Sequence, residues 1–345
     1  MTDLSIGLGK IQLKNPVVCA SSEITMTPGG IRAAIDAGAS AVIAKSVNES
    51  PAAAAQLTKA DYVLLDDDFR PIPWTSPQKL NASLFCRSGL GQAPLHEWLP
   101  ILAELDRYAQ TKQSYVVGSI TVARAEPAAD IAARMQHAGL RWIELNLGAP
   151  HGRESSAVNQ ITARDSVREY VRTVRRTVTV PLAVKLTAQA DDPLAAAAIA
   201  IEEGADMIVL VGRMGGFMPD IETHRPILGS WGAIGGHWAL PASLYWVSKT
   251  WRNVSRETPI IGTNGARSAA DVLRFLLSGA RAVELASAAI SNGPRIFSEI
   301  IDDLRSYCQR KQIVRLKEVI GKAADAAKTY DELVARTRLR YPWEG

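Results

Sequence analysis

Eight short β-branched or apolar runs, each followed by a helical pattern, recur along the chain, and this alternation narrows the possible folds more than any other feature. The runs are Val17-Val18-Cys19-Ala20, Ala41-Val42-Ile43-Ala44, Tyr115-Val116-Val117-Gly118, Trp142-Ile143-Glu144-Leu145, Leu182-Ala183-Val184-Lys185, Met207-Ile208-Val209-Leu210, Ile260-Ile261-Gly262-Thr263 and Ala282-Val283-Glu284-Leu285. A helix between two strands returns the chain to the end where the first strand began, so such strands pair in parallel. Eight βα units close a (β/α)8 barrel, the TIM-barrel architecture, which commonly takes about 250 residues. The chain has 345, and the surplus falls in three places. Two connections, about 46–94 and about 212–241, are too long for turns, and long loops after strands build the active face of such a barrel. From about 311 to 345 the sequence reads as a helical, charged extension packed on the barrel exterior or on a partner subunit. We expect one barrel domain over 1–345 carrying these additions.

Helix stop signals support the alternation: Asp36-Ala37-Gly38-Ala39, Glu202-Glu203-Gly204-Ala205 and Leu277-Ser278-Gly279-Ala280 each precede a strand. Composition excludes several classes. The net charge of +4 is small, and Lys and Arg are dispersed among the acids, which argues against a nucleic-acid stripe and so against a tRNA-modifying barrel. The three cysteines, Cys19, Cys86 and Cys308, have no metal-ligand spacing, so neither a metal nor an iron–sulfur cluster is expected. No apolar run approaches the roughly 20 residues of a membrane span, and Met1-Thr2-Asp3 opens without a secretory pattern, so a cytoplasmic protein is expected.

Two small-residue turns stand at strand ends, Ile261-Gly262-Thr263-Asn264-Gly265-Ala266 and Leu285-Ala286-Ser287-Ala288. Backbone N–H groups in such turns approach a phosphate closely, and this is where many barrels hold one. Lys45 and Lys185 end the second and fifth strands, where a fixed positive charge faces the barrel mouth.

Taken with Lys14-Asn15-Pro16-Val17-Val18-Cys19-Ala20-Ser21, Lys45-Ser46, Ser119-Ile120, Glu144-Leu145-Asn146-Leu147, Val184-Lys185-Leu186 and Gly232-Ala233-Ile234-Gly235-Gly236, these features make the chain resemble the dihydroorotate dehydrogenase family over roughly residues 5–310. The likeness is to its soluble class 1 members and to the FMN domain of dihydropyrimidine dehydrogenase. It implies FMN at the C-terminal mouth, with Ala20, Ser21, Lys45, Ser46, Ser119, Asn146 and Lys185 near the ring and ribityl chain. Gly235, Gly236, Thr263, Gly265, Ala286 and Ser287 would surround the phosphate. Asn264 and Ala286 replace family glycines, and Ser287 replaces a threonine but keeps the hydroxyl.

The chain departs from the family where the chemistry is usually done. Class 1 enzymes place a catalytic cysteine in the loop after the fourth strand, and Ala149 holds that slot. An alanine moves no proton. The slot farther along the loop, used in the dihydropyrimidine branch, holds Gln160. The asparagines that read a pyrimidine are reduced to Asn146: Cys86 and Gly212-Arg213 stand where others are expected, and Arg87, Arg213 and Arg153 add charge. These changes point to an anionic, non-pyrimidine substrate held through Lys45, Cys86, Arg87, Asn146, His151 and Arg213. For proton transfer the first candidate is His151, with Cys86 second if a neighbour such as Arg87 lowers its pKa, and with Lys185 stabilising developing charge. His237 is expected at the phosphate or a subunit neighbour, Glu23 beside the flavin edge, and Trp74, Trp231 and Trp238 around the pocket or under a lid. The expected activity is an FMN-dependent oxidoreductase acting on a CH–CH or CH–NH bond. A flavin-assisted isomerase or lyase and a catalytically inactive FMN barrel are the alternatives. The resemblance also implies a homodimer, and the lack of a second nucleotide domain implies a separate electron acceptor or partner protein.

Overall fold

The computed structural model of the protein describes residues 2–48, 50, 55–91, 93–149, 161–335 and 343. Its centre is a closed barrel of eight parallel strands: β1 (Val17–Cys19), β2 (Ala41–Ile43), β3 (Tyr115–Thr121), β4 (Ile143–Asn146), β5 (Leu182–Lys185), β6 (Met207–Leu210), β7 (Ile260–Thr263) and β8 (Ala282–Leu285). The pairing order β5-β6-β7-β8-β1-β2-β3-β4 closes back on β5, so each strand lies beside its neighbours in the sequence. Helices α1 (Pro28–Asp36), α2 (Leu95–Thr111), α3 (Ala125–His137), α4 (Arg164–Arg175), α5 (Pro193–Glu202), α6 (Leu240–Asn253), α7 (Ala269–Leu277) and α8 (Arg295–Arg310) alternate with the strands.

All eight expected runs are strands, with some ends moved. Ala20 and Ala44 fall just past β1 and β2, and β4 begins one residue later than expected and takes in Asn146. β3 continues to Thr121 because Ser119, Ile120 and Thr121 go on pairing with Glu144, Leu145 and Asn146. The helix-to-strand turns behave as read: Gly204 sits at φ 97°, a conformation that costs other residues a Cβ clash, and Gly38 and Gly279 repeat it.

Side-chain alternation divides each strand between two cores. Val18, Ala41, Ile43, Val117, Trp142, Ala183, Met207, Val209, Ile261 and Ala282 pack inside the barrel. An antiparallel hairpin, Ile6–Leu8 with Ile11–Leu13, adds its four apolar side chains to that cluster. The other set packs under the helices in the larger core. Two residues farther along the inward-facing set, the identities change to Lys45, Ser119, Glu144, Lys185, Thr263 and Glu284, all of them buried. The apolar interior therefore ends in a polar layer one pleat below the C-terminal mouth.

The two insertions on the active face form one structure. A five-stranded antiparallel sheet runs Met214–Gly216, Gly232–Gly235, Ser83–Arg87, Asp61–Leu65, Pro71–Ile72. Its register sets Cys86 between Tyr62 and Ala233. The described part of the C-terminal extension packs on the barrel exterior: Trp251 of α6 donates to Asp325 Oδ1 at 3.0 Å, and Gly321 N donates to the Leu276 carbonyl of α7 at 2.8 Å. Among the described residues no helix is long and apolar enough to cross a membrane.

Candidate active site

A cavity opens at the C-terminal mouth. It is lined by Ala20 and Ser21 after β1, Asn146 and Gly148 at the end of β4, Lys185 of β5, Gly212 and Arg213 after β6, Thr263 and Gly265 at the end of β7, and Ala286 and Ser287 after β8. Nine of the expected binding residues thus share one space. Asn146 Oδ1 accepts the Gly148 N–H at 3.0 Å, which fixes the amide at the end of β4. The N–H groups of Gly265 and Ala266 have no acceptor among the described residues, and Ser287 N–H lies at the first turn of a short helix, so several donors converge where a phosphate is expected. Asn264 stands at φ 69°, a conformation that asparagine tolerates better than most residues. Its side chain also donates to the Gly212 carbonyl at 3.1 Å and accepts from Gly236 N at 3.4 Å, so the replacement of a glycine ties three loops together. His237 Nδ1 meets the Gly265 carbonyl at 3.1 Å and braces the same turn.

Other expected residues sit one layer back. Ser46 and Ser119 are buried and linked at 2.8 Å, and Ser46 reaches Ser21 at 3.2 Å. Gly235 does not face the cavity: a Cβ there would lie 2.8 Å from Arg213 Cγ, so this glycine makes room for the arginine stem. Gly236 backs onto Ser83 in the same way.

The floor is ionic. Lys185 Nζ lies 2.5 Å from Glu284 Oε2 and 3.8 Å from Glu144 Oε2, and Ser119 donates to Glu144 Oε1 at 3.0 Å. Sequence reading missed both glutamates as site residues. The available signal was a carboxylate in the middle of each apolar run, IELN and VELA, which is costly to bury without a partner. Burial pushes Glu144 up to about 8, Glu284 adds to the rise, and Lys185 only partly opposes it.

A second cluster forms the wall. Lys45 Nζ lies 2.8 Å from Glu23 Oε1, and the Tyr62 hydroxyl donates to the same oxygen at 3.1 Å. Arg213 Nη1 contacts Cys86 Sγ. Burial opposes ionisation of Glu23, but Lys45 and Arg213 outweigh it and hold the carboxyl at about 2. Two cations thus face one carboxylate, and Arg213 brings the surplus positive charge to the cavity.

Several expectations are corrected here. Cys86 is buried, and burial raises its pKa despite Arg213, so it stays a thiol at neutral pH and is removed as a base. Arg87 is not the cation beside it. On a strand, neighbours point to opposite faces, and Arg87 binds the Lys59 carbonyl at 3.1 Å and lies 3.8 Å from Asp61, away from the cavity. Trp74, Trp231 and Trp238 are 41%, 58% and 44% exposed and neither line the cavity nor lie under a lid. His151, Arg153 and Gln160 lie outside the described residues. Ala149 is buried.

The two glutamates act on stability in opposite directions. Glu144, raised from 4.5, contributes stability that is full below about 4.5 and is lost as pH rises to about 8. Glu23, lowered from 4.5 to about 2, contributes stability present above about 4.5 and lost as pH falls through about 2. At about 1.4 kcal/mol per pKa unit, the Glu23 contribution is of order 3 kcal/mol. Calorimetric Tm is expected to fall from about pH 5 to about pH 8 and to level off above that. Glu144→Gln is expected to remove most of that slope, and an unchanged slope would count against the raised Glu144.

Comparison with known proteins agrees with this geometry. The dihydroorotate dehydrogenase family profile matches residues 75–308. The catalytic subunit of dihydroorotate dehydrogenase B (NAD(+)) from Methanothermobacter thermautotrophicus is 26% identical over 93% of this chain and 99% of its own. The subunit of that name from Pyrococcus furiosus is 27% identical over 93% and 98%. The one from Porphyromonas gingivalis is 35% identical, over 53% of this chain and 58% of its own. Among solved structures, a dihydroorotate dehydrogenase from Eimeria tenella in complex with ferulenol superposes with a TM-score of 0.71 at 18% identity, covering 93% of this chain and 88% of that one, which establishes the shared fold.

Proposed function

The chain belongs to the dihydroorotate dehydrogenase family, and on that premise we propose that it is an FMN-dependent oxidoreductase that moves hydride between the flavin and a small anionic substrate other than a pyrimidine. Family membership and the curated relatives support a flavin-dependent oxidoreductase. The cavity residues fit FMN: donor N–H groups at Gly265, Ala266 and Ser287 suit the phosphate, and Asn146 and Lys185 suit the ring. FMN, when bound, supplies the hydride-exchanging N5 centre.

The observation that carries the substrate class is the wall of Lys45 and Arg213 against the single carboxylate of Glu23. A partly buried cation in excess is stabilised by an anion that arrives with the substrate, and the planar guanidinium of Arg213 matches a carboxylate or phosphate. A pyrimidine carboxylate would meet the same cation, so the exclusion of a pyrimidine rests on Cys86 and Arg213 standing where amide readers are expected. Ala149 brings a methyl group to the slot of the class 1 base, so another group handles the proton, with His151 the loop candidate. The relatives are catalytic subunits, which supports a separate chain as the electron partner. A homodimer in the cytoplasm completes the proposal.

Anaerobic mixing of the FMN-loaded protein with dihydroorotate tests the reading. Flavin bleaching is expected to be about 10²- to 10⁴-fold slower than in a relative that keeps its base, the usual worth of a positioned acid–base group. Reduction by dihydroorotate at the relative's rate would overturn the substrate proposal. Failure to retain FMN, even after its addition, would overturn the cofactor.

A further inference from the structure

Glu144 on β4 and Glu284 on β8 come from opposite sides of the barrel and meet at Lys185. Each keeps one buried oxygen without a hydrogen-bond partner, Oε2 of Glu144 and Oε1 of Glu284. Ionised carboxylates only accept, so two of them cannot satisfy each other. One proton between them satisfies both and leaves Lys185 facing a single negative charge. From Glu144 a chain of hydroxyls leads outward: Ser119 at 3.0 Å, then Ser46 at 2.8 Å, then Ser21 at 3.2 Å, where Ser21 lines the cavity.

We propose that Glu144 and Glu284 store one proton at the floor of the cavity, where Glu284 is part of the lining, and that Ser119, Ser46 and Ser21 carry it to and from whatever binds against Ser21. The store gives the cavity a proton source of its own, separate from the loop that carries Ala149 and His151. In the delivering direction Ser21 gives its hydroxyl proton to a basic atom against it. Ser21 then takes the proton of Ser46, Ser46 that of Ser119, and Ser119 that of Glu144, whose carboxyl turns to bring the stored proton from the Glu284 side to the oxygen facing Ser119 and is left as a carboxylate. Four O–H bonds break, three O–H bonds and one bond from hydrogen to the basic atom form, no electrons move, and the reverse order reloads the store. Both serine–serine contacts permit either direction of donation. The charged and titratable groups around the store are Lys185 from β5, Cys19 from β1 within reach of Glu284, and Arg213 within reach of Lys185. Nothing in this depends on which substrate the cavity takes.

Infrared spectroscopy of the full-length protein without substrate tests it. The wild type is expected to show a buried, protonated carboxyl C=O stretch at neutral pH that disappears with a midpoint of about 8. Glu144→Gln abolishes the band. Glu284→Gln also abolishes it at neutral pH, because Glu144 then faces Lys185 alone and ionises. Ser119→Ala keeps the band but slows its hydrogen–deuterium exchange by roughly tenfold or more, since the path to the cavity is cut. No band in the wild type, or a band that survives in both glutamine variants, overturns the store. Unchanged exchange in Ser119→Ala overturns the relay, and if either glutamine variant fails to fold, the wild-type titration and Ser119→Ala still decide.

Discussion

Lys185→Met is expected to cost about 3–5 kcal/mol of folding stability at pH 7, the usual penalty for removing one partner of a buried ion pair. Methionine fills nearly the same space, so the loss reports charge rather than packing. Lys185 is 8% exposed, and its only ionic partners among the described residues are Glu284 and Glu144, both fully buried. Without the ammonium group the two carboxylates face each other alone, and both are driven toward their neutral forms. With its opposing lysine gone, the Glu144 folded-state pKa rises further above the unfolded value, so the variant's deficit grows as pH rises and shrinks as pH falls toward about 5. Urea unfolding at the two pH values measures this directly. The double variant Lys185→Met/Glu284→Gln is expected to recover most of the stability at pH 7, since it leaves one carboxylate free to protonate. A deficit below about 1 kcal/mol in the single variant, or one independent of pH, would show that the floor is not held by this lysine. FMN retention is expected to fall in both variants, because both lack the ammonium group at the ring end of the cavity.

How far such a site is legible in the sequence depends on how local its determinants are. The eight strands of the barrel were readable because each carries its own apolar run and each neighbour in sequence is also its neighbour in space. The five-stranded sheet was not, because Ser83–Arg87 pairs with Gly232–Gly235 from the far insertion, and nothing in either segment announces the other. Without that pairing Cys86 and Arg87 both read as pocket residues, although their alternation sends them to opposite faces. The hairpin at Ile6–Leu13 did carry a signal, Leu8-Gly9-Lys10-Ile11 with apolar alternation on both sides. Glu144 and Glu284 were visible as carboxylates in apolar strands, but their meeting at one lysine follows from barrel register, which no single strand specifies. The phosphate turns were legible for the opposite reason: small residues at a strand end are a local requirement.

Arg213→Ala is expected to weaken anion binding by about 30- to 5,000-fold, the range for truncating a buried, hydrogen-bonded charge at 2–5 kcal/mol. Titration of the FMN-loaded protein with a series of small aliphatic carboxylates, followed by the flavin absorbance change, provides the readout. Arg213 is the cation of the wall that reaches the cavity, whereas Lys45 is already engaged with Glu23 at 2.8 Å. Its removal also takes from Glu23 one of the two charges that hold that carboxyl low, so the Glu23 pKa is expected to rise. Arg213→Lys separates charge from shape, since an ammonium group keeps the attraction but not the paired donors of the guanidinium, and an intermediate affinity is expected. Gly235→Ala adds a methyl group 2.8 Å from Arg213 Cγ and is expected to weaken binding by displacing the arginine while leaving its charge intact. Arg87→Ala is the control, because that arginine is held at the end of the central strand of the sheet by Lys59 and Asp61. An equal loss from Arg87→Ala, or no loss from Arg213→Ala, would sink the anionic-substrate proposal. Wild-type affinity for carboxylates with loss confined to Arg213 and Gly235 would tie it to the partly buried guanidinium that the wall brings to the cavity.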